Sequence, residues 1–523
     1  MRWRPVVAIA SAALLALATS ASAQTRATRT TDFLESIGMN IHFWGDGPGG
    51  PQGVSNYGDY YANNDSRFSG KGQNINGQNI NVSALAYGLN YMHIHHIRSS
   101  TDSQDATNRF IGLSQLVSNL HMVNQTSGNF DSWSGYFNRS DGLKNQLDGF
   151  EGANEIGNTS NFNYTNLAGQ PASSYTAACN FQKDLQSQAV AWRSRNGVNV
   201  PVVQASVGGD AGLIAYLTAT PCKTFADYSN GHLYAGAGMP VQVKNYNFYN
   251  NPNLLGQASP GDGIFSTETG SVTNIYDNNG MDEPTAAKQF LKLYLAFYLA
   301  ETGGPGGPSI AHTYVYELSD TFVNTPTPGV TGGNAQEDHY GQFRSDWSPK
   351  PSADAVAFQW NVLNDTGAAA ATFTTDTLTY SLSNAPPNTF SLLMEKNDGT
   401  FVLAMWAEPP PPNNNTCLSG VWMAAFKKDC QGNVYNSGNT GYAINTAATN
   451  VTVNLPAMKN MVVADPFGAA STALPDGSTA TIPISDHPVY LTMALASAVV
   501  VPPPPPPTSP GTGSVCTFSG TQP

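Results

Sequence analysis

Residues Leu147–Glu155 read LDGFEGANE, an apolar stretch that stops at an Asn-Glu pair. A second stretch, Gly263–Glu268, reads GIFSTE and also stops at a glutamate. Each has the length of a buried strand, and each places its carboxylate where the strand ends. Functional side chains in barrels of parallel strands lie at these carboxyl ends. The two stretches therefore decide which fold we expect around them.

The chain up to about residue 365 alternates short apolar runs with segments of helical spacing. Helical spacing is clear in Asp105–Leu120 and from Pro284 to Tyr298. The predicted strands are Ile37–Trp44, Leu89–Arg98, Leu120–Gln125, Leu147–Glu155, Val200–Val207, Tyr228–Tyr234, Gly263–Glu268 and Ile310–Leu318. Eight strands interleaved with helices predict an α/β fold, a (β/α)₈ TIM barrel. A doubly wound open sheet is the alternative, which we disfavour because no glycine-rich phosphate loop follows the first strand.

Beyond residue 366 the sequence changes to short strand-like runs separated by turns. The strands predicted there are Thr372–Leu382, Phe390–Glu395, Thr400–Trp406, Val421–Phe426, Asn450–Leu455, Met461–Asp465 and Val489–Leu495. Because no long helical stretch interrupts them, they predict a small all-β sandwich. We therefore place the barrel at 24–365, the β-sandwich domain at 366–498 and a proline-rich tail at 499–523.

The first residues have the pattern of an export signal. Arg2 and Arg4 supply positive charge, Val6–Thr19 is small and apolar, and Ala21–Ala23 fits a cleavage site. A membrane anchor is the alternative, but the apolar run is too short to span a bilayer. We expect a signal peptide at 1–23, with Gln24 as the first mature residue, and a secreted or periplasmic protein.

Export makes the five cysteines candidates for disulfides. Cys179 and Cys222 lie in the predicted barrel and are one candidate pair. Cys417 and Cys430 flank a predicted hairpin and are another, which leaves Cys516 over. Free, inert thiols are the alternative for each of them. No Cys/His spacing indicates zinc, so we expect neither a metal nor a cofactor.

The composition of the chain excludes some classes of binding partner. Only 11% of the 523 residues are charged, and the formal net charge is −13. Nucleic-acid binding needs clustered Lys and Arg, so a polyanion is not the expected partner. No apolar run beyond the N-terminus is long enough for a membrane span. A neutral polar surface favours a poly- or oligosaccharide substrate, and we expect a monomer.

The two glutamates at strand ends indicate a reaction. Cleavage of a glycosidic bond needs one carboxyl group that protonates the departing oxygen and another that attacks or stabilises the anomeric carbon. A lone glutamate at a strand end would equally be a solvated loop residue. An Asn-Glu pair on strand four together with a Glu on strand seven is more specific.

FEGANE with FSTETG resembles the clan A retaining glycoside hydrolases. GHLYAG at strand six, DHYGQFRSDWSPKP after strand eight, and the C-terminal DGTFVLAMWAE and SDHPVYLTM runs resemble family 39-like members with an attached β-sandwich. The resemblance implies that Glu155 is the general acid/base, with a raised pKa, and that Glu268 is the nucleophile. The substrate-binding residues that it implies are Asn154 for the sugar 2-hydroxyl, Tyr234 as donor to the nucleophile, His232 on the same wall, and Arg98 beside Glu268.

Strand eight departs from the pattern of that group. Many members carry a Trp there as a floor for the sugar, and this chain has Tyr314, Tyr316 and Glu317. We expect Tyr316 to stack on the sugar in its place. Trp44 is a further stacking candidate. So are Trp133 and Tyr136, for which packing in the core is an equally good interpretation.

Two other groups of polar residues need an interpretation. Glu151 lies on the same strand as Glu155 and with the same parity, so we expect it to be a partner for a basic or polar group inside the barrel. His93 and His95 lie on one face of the predicted strand and His96 on the other. They are therefore interpreted as structural histidines, since the three cannot chelate one ion together.

These patterns predict a secreted retaining β-glycoside hydrolase that acts on a polysaccharide or oligosaccharide by double displacement. Retention requires carboxyl groups about 5 Å apart, and a separation near 9 Å would favour inversion. A transglycosylase that uses the same two glutamates is one alternative. A non-catalytic carbohydrate-binding envelope protein on an inactive barrel is the other.

Overall fold

The structure is a computed structural model. It describes residues 23–43, 65–126, 132–156, 162–206, 216–217, 219, 221–234, 263–274, 281–299, 310–320, 339–386, 389–407, 447–468 and 471–496. Residues 1–22 of the predicted signal at 1–23, the predicted strand 421–426 and the proline-rich tail lie outside the described residues, and so do Trp44, Cys417, Cys430 and Cys516. No helix among the described residues is long and apolar enough to cross a membrane.

A parallel barrel forms the first part of the fold, as predicted. Its strands are β3 (Ile37–Asn40), β6 (His96–Ser99), β7 (His121–Gln125), β8 (Leu147–Glu151), β11 (Val202–Val203), β12 (Ser229–His232), β13 (Ile264–Thr269) and β14 (Ile310–Val315). They run in the order β11-β8-β7-β6-β3-β14-β13-β12, and every pairing is parallel. A bridge between Val203 and Tyr228 brings the two edge strands together, so the sheet closes into a (β/α)₈ TIM barrel.

Helices and two small hairpins fill the connections. The helices are α1 (Thr30–Leu34), α2 (Ser83–Met92), α3 (Gln104–Ser114), α4 (Trp133–Asp141), α5 (Ser174–Asn196), α6 (Glu283–Tyr298) and α7 (Pro351–Leu363). The hairpins are β4 (Gln73–Ile75) with β5 (Gln78–Ile80), and β9 (Asn163–Thr165) with β10 (Pro171–Ser173). A disulfide joins Cys179 and Cys222, with Cα atoms 5.4 Å apart, which confirms that predicted pair.

The predicted strand Leu89–Arg98 is wrong in its first half. Helix α2 occupies residues up to Met92, and Leu85, Leu89 and Met92 are buried along its apolar face. His93 ends the helix in a left-handed conformation, with φ of 56°. The strand itself begins only at His96. The apolar residues up to Met92 have helical spacing and form a helix, and the alternation of the following histidines does not extend the strand back to Leu89.

The barrel interior is layered along the strands. Val123, Val203, Phe265 and Tyr314 form an apolar layer at mid-height. His96 and Asp148 lie below this layer, near the amino ends of their strands, and Arg98 and Glu151 lie above it. Asp148 and Glu151 are three residues apart, so a regular strand would point them to opposite faces. Both nevertheless contact groups inside the barrel. A register shift, where Met122 pairs with Leu147 but Val123 pairs with Gly149, accounts for this, because a bulge at Asp148 resets the alternation.

We call the lower group the amino-end cluster. It consists of His96, Asp148, Glu35 and His121. Nδ1 of His96 lies 2.7 Å from Asp148 Oδ2, and its Nε2 lies 2.7 Å from Glu35 Oε2. Nδ1 of His121 lies 3.3 Å from the other oxygen of Asp148. Burial alone would lower the pKa of His96, but the two carboxylates outweigh it and raise that pKa to about 10.

Nine of the described strands form one sheet, which is the second part of the fold, the β-sandwich. Its strands are β1 (Ala23–Arg26), β2 (Thr28–Arg29), β15 (Thr377–Ser383), β16 (Thr389–Glu395), β17 (Phe401–Ala407), β18 (Thr449–Ala464), β19 (Thr472–Ala473), β20 (Gly477–Ile484) and β21 (Val489–Leu495). The two predicted strands at 450–455 and 461–465 are one long strand, β18, which pairs with β15 and β20 over its first half and with β19 and β21 over its second. The predicted limits at 24, 365 and 498 stay predictions. The first strands of the chain, however, belong to this sheet, since β1 pairs with β15 and β2 with β16.

The sandwich packs on the barrel through strands that are buried on both faces. Along β17, Val402, Ala404 and Trp406 join the core of the barrel, whereas Leu403 and Met405 join the core of the sandwich. Alternation of side chains produces this division, because successive residues of a strand point to opposite faces.

Candidate active site

Arg98 organises the carboxyl end of the barrel. Its Nε and Nη2 donate to Glu151 at 2.6 and 2.8 Å, and its Nη1 donates to Glu268 Oε1 at 2.6 Å. The guanidinium is buried. Burial opposes its charge, but the two carboxylates more than offset this and raise the pKa of Arg98. A permanent cation is thus fixed between the carboxylates of β8 and β13.

Glu151 is the inward-facing partner that the sequence predicts. It is fully buried and binds Arg98 in a bidentate arrangement. It also accepts hydrogen bonds from Asn230 Nδ2 at 2.9 Å and Thr267 Oγ1 at 3.0 Å. Glu151 accepts four hydrogen bonds from the protein, so we interpret it as a structural support of the site rather than as a reacting group.

Glu268 is held at both oxygens. Oε1 accepts from Arg98, and Oε2 accepts from the hydroxyl of Tyr234 at 3.0 Å. Burial, reinforced by the charge of Glu268, raises the pKa of Tyr234 well above its usual value, so the phenol remains a donor. Gly270 lets the ends of β13 and β14 approach closely, because a Cβ there would lie 2.4 Å from the carbonyl oxygen of Tyr316.

Glu155 lies beyond the end of β8, where the backbone has left the strand. Its φ of 43° is unusual for a residue with a side chain, and its N–H donates to Ser206 Oγ at 2.8 Å. Oε1 lies 2.8 Å from Nδ1 of His232, which is also 3.2 Å from Glu268 Oε2. The side chain of Glu155 is 32% exposed, against 11% for Glu268. Glu155 is therefore the carboxyl group of this pair that solvent or a ligand reaches more easily.

These side chains form the carboxyl-end cluster, defined as Arg98, Glu151, Glu155, Glu268 and His232. One carboxylate oxygen each of Glu155 and Glu268 and a ring nitrogen of His232 all lie within 4.8 Å of one another. Among the described residues this trio has the donor types and spacing to hold a metal ion. The same spacing suits two carboxyl groups that act on one bond.

Asn154 lies between the arginine and the next strand. Its Oδ1 accepts from Arg98 Nη2 at 2.7 Å and from Ser206 Oγ at 3.2 Å. The predicted site residues Asn154, Glu155, His232, Tyr234 and Arg98 are thus brought together around Glu268.

Tyrosines extend the site beside Tyr234. Its ring is 5.8 Å from that of Tyr340, which is 5.4 Å from Tyr316, and Tyr316 is 5.6 Å from His42. Tyr316 is half-buried, as a stacking residue must be to offer a face. Tyr314 is instead fully buried in the middle layer of the barrel.

The other aromatic candidates lie elsewhere. Trp44 is outside the described residues. Trp133 and Tyr136 are buried in the core between α4, α5 and the sheet, so the core interpretation is correct for both.

An ion pair between His42 and Glu317, on the wall formed by β3 and β14, was not predicted from the sequence. Nε2 of His42 lies 3.1 Å from Oε2 of Glu317, and Glu317 is buried. Burial raises the pKa of Glu317; burial also opposes protonation of His42, but Glu317 outweighs it and raises the pKa of His42. The sequence did contain a signal for this pair, since His42 lies near the end of the first predicted barrel strand and Glu317 near the end of the eighth.

A second missed pair supports the loop that carries Tyr340. Lys350 Nζ donates to Asp320 Oδ1 at 2.6 Å and to Thr273 Oγ1 at 2.8 Å, and both charged groups are buried. Breaking such a buried pair costs about 3–5 kcal/mol, so it holds Lys350 firmly against Asp320 and Thr273, in the segments that follow β14 and β13.

Solved structures that share this fold include glycoside hydrolases. A family 39 glycoside hydrolase from the gut symbiont Bacteroides cellulosilyticus WH2 is 12% identical, with a TM-score of 0.51 over 88% of this chain and 81% of that one. A monomeric β-xylosidase from Caulobacter crescentus CB15 is 10% identical, with a TM-score of 0.51 over 90% and 98%. The barrel with its attached sandwich is therefore the fold of these enzymes. No protein-family model and no curated protein matches the sequence.

Proposed function

We propose that the chain is a retaining β-glycoside hydrolase that cleaves O-glycosidic bonds in a poly- or oligosaccharide. The observation that carries the proposal is the pair Glu155 and Glu268, whose nearest oxygens lie within 4.8 Å across His232. Carboxyl groups of retaining enzymes are about 5–5.5 Å apart, whereas inverting enzymes need about 6.5–9.5 Å to admit a water. The short separation favours double displacement.

Their surroundings suggest a separate role for each carboxylate. Glu268, bound by Arg98 and Tyr234, would attack the anomeric carbon and form a covalent glycosyl intermediate. Glu155, more exposed and beside His232, would protonate the departing oxygen. In the second step Glu155 would take a proton from water, the water oxygen would bond to the anomeric carbon, and Glu268 would be released as a carboxylate.

Three further parts of the proposal concern binding and location. The amide of Asn154 would bind the sugar 2-hydroxyl, a contact that strengthens in the transition state. Tyr316 would stack on the sugar from the wall that it shares with Tyr340. We also propose export by the signal at 1–23 and a monomer, the state named for the Caulobacter β-xylosidase that shares the fold.

Product analysis tests the reaction. The purified protein is incubated with a panel of plant and bacterial polysaccharides and with 4-nitrophenyl β-glycosides, and the anomer first released is identified by proton NMR. We expect the β-anomer and its loss in Glu268→Gln. An α-anomer would overturn the assignment of Glu268 as the nucleophile. Equal inactivity of wild type and Glu268→Gln on the whole panel would overturn the proposal that the protein is an enzyme.

Two additions sharpen this experiment. Added acceptor sugars separate hydrolysis from transglycosylation, because a transferase makes longer products from them. Asp105→Asn is the matched control for Glu268→Gln, since it also removes one carboxylate paired with an arginine, but on the outer helix α3. Sequencing of the exported protein should begin at Gln24.

A further inference from the structure

Two tyrosines adjoin each other at the surface outside the carboxyl-end cluster. Tyr216 is 37% exposed and Tyr175 is half-buried, and their ring centroids are 5.8 Å apart at an angle of 44°. The hydroxyl of Tyr216 lies 3.3 Å from Thr176 Oγ1. Tyr175 packs with part of its surface on the core, so the pair has a fixed inner member and an exposed outer one.

The position of these tyrosines follows from the topology. Tyr175 lies in the first turn of α5, which begins after the connection from β8, so this turn is at the carboxyl end of the barrel. Tyr216 lies on the connection that follows β11. The same two connections meet at the acid/base candidate, where Ser206 accepts from the N–H of Glu155 at 2.8 Å and donates its own N–H to Ala153 at 3.2 Å.

The disulfide joins these two connections. Cys179 is one helical turn after Tyr175, and Cys222 follows Tyr216 on the other segment. Both cysteines are buried, whereas the outer tyrosine is exposed. The covalent link limits how far the two rings move relative to each other, so the aromatic surface is pre-organised before any ligand binds.

We propose that Tyr175 and Tyr216 form a sugar-stacking platform for the part of a glycan chain on the leaving-group side of the scissile bond. The apolar C–H face of a pyranose ring packs on an aromatic face, and a tyrosine offers such a face together with a hydroxyl that can bind a neighbouring polar group. The leaving-group side is the one beside the proton donor, and the platform lies on the connections that hold Glu155. This inference rests on the proposed function, and it specifies a substrate several sugar units long.

Affinity electrophoresis tests binding without turnover. Wild type, Tyr216→Ala, Tyr216→Phe and Leu167→Ala are run in native gels that contain xylan, barley β-glucan, β-1,3-glucan or galactan. Tyr216→Phe keeps the ring and loses the hydroxyl. Leu167→Ala is the matched control, because Leu167 is a 55% exposed apolar residue on the connection that also leads to α5.

At least one gel should retard the wild type, Tyr216→Phe and Leu167→Ala equally, and Tyr216→Ala should bind that polysaccharide roughly 2- to 12-fold more weakly. Retardation of Tyr216→Ala equal to that of wild type would overturn the platform. So would the absence of wild-type retardation in all four gels, even if the protein cleaves aryl glycosides.

Kinetics then separate this inference from the proposed function. Two matched pairs of substrates are used: 4-nitrophenyl β-xyloside with xylohexaose, and 4-nitrophenyl β-glucoside with cellohexaose. Tyr216→Ala should raise KM for the hexasaccharide that the wild type cleaves and change kcat/KM for the aryl glycoside less than two-fold. An equal effect on both members of a pair would contradict a platform on the leaving-group side, whereas absence of all cleavage would count against the proposed function and leave the gel result standing.

Discussion

The two ends of the barrel carry ionised clusters built on the same strands but composed differently. Strand β6 contributes His96 below the apolar layer and Arg98 above it, and β8 contributes Asp148 below and Glu151 above. In the amino-end cluster, His96 lies between two carboxylates, and its raised pKa keeps it charged. In the carboxyl-end cluster, three carboxylates surround one arginine and a histidine.

This difference separates stability from chemistry. The main members of the amino-end cluster use each other as partners, so the cluster ties β6, β8 and the segment before β3 together. The carboxyl-end cluster has an excess of carboxylate and leaves Glu155 partly exposed to solvent. Such a site is less stable than a fully paired one, and it can exchange a proton with a ligand.

The substitution Glu155→Ala should have the largest effect, which is a loss of activity. Loss of a general acid costs about 10²- to 10⁴-fold in rate when the leaving group needs a proton, and much less for a dinitrophenyl leaving group. Steady-state rates on both kinds of aryl glycoside measure this, and azide should restore turnover and give a β-glycosyl azide. An equal loss on both leaving groups would assign the proton transfer to another residue. The free energy of unfolding should change little, because the side chain is partly exposed.

At the other end, Asp148→Asn should lower the free energy of unfolding by about 3–5 kcal/mol, because it leaves the His96 charge buried without its main partner. Urea denaturation measures the change, and kcat/KM at 25 °C should stay within two-fold of wild type. Asp141→Asn is the control, since Asp141 pairs with Arg195 where both side chains are exposed, and such a pair is worth less than about 1 kcal/mol. Loss of activity with unchanged stability would contradict the division between the two ends.

The amino-end cluster should also give stability a pH dependence. The folded pKa of His96, about 10, is above its unfolded value of about 6.5. Its contribution is therefore complete below pH 6.5 and is lost as pH rises through 10, at about 1.4 kcal/mol per pH unit between pH 7 and 9. Urea denaturation at pH 6, 8 and 10 measures the free energy of unfolding of wild type and of His96→Gln. The two values should approach each other as the pH rises.

His121→Gln is the matched control for that experiment. His121 binds the same Asp148, but its side chain is 37% exposed, so its removal should lower the free energy of unfolding less than removal of His96 does at pH 6. If the difference in free energy of unfolding between wild type and His96→Gln stays constant or widens as pH rises, His96 is not charged in the folded protein.

Tyr234→Phe should have the smallest effect of the four. It removes one hydrogen bond to a charged group, worth about 1.5–3 kcal/mol, so kcat should fall roughly 10- to 100-fold with KM little changed. Rates on 4-nitrophenyl glycosides measure it. Tyr298→Phe is the control, because it removes a hydroxyl that contacts Thr28 outside the barrel. A change confined to KM would indicate that Tyr234 binds substrate and does not orient Glu268.

Much of the carboxyl end could be predicted because each functional residue follows a recognisable strand. Glu155, Glu268, His232 and Tyr234 all stand where an apolar run ends. The pair His42–Glu317 could not be predicted as a pair, since its members are 275 positions apart and only closure of the barrel brings them together.

The amino end was harder to predict because it depends on backbone irregularity. Simple alternation from Leu147 gives no reason for both Asp148 and Glu151 to point inward, and the bulge at Asp148 is what permits it. Strands β1 and β2 were missed for another reason. Their residues, AQTR and TR, are polar and short, and they are extended because β15 and β16 supply the pairing.

Those first strands affect how the molecule can be divided by genetic engineering. A truncation after residue 365 removes β15 and β16, so it leaves residues 23–29 as unpaired extended chain directly ahead of helix α1. Unpaired edges of this kind promote aggregation. A minimal catalytic fragment should therefore start at about Thr30 and not at Gln24. In the intact protein, synthesis must proceed past Glu395 before the earliest residues find their partners, so the two domains are expected to complete folding together.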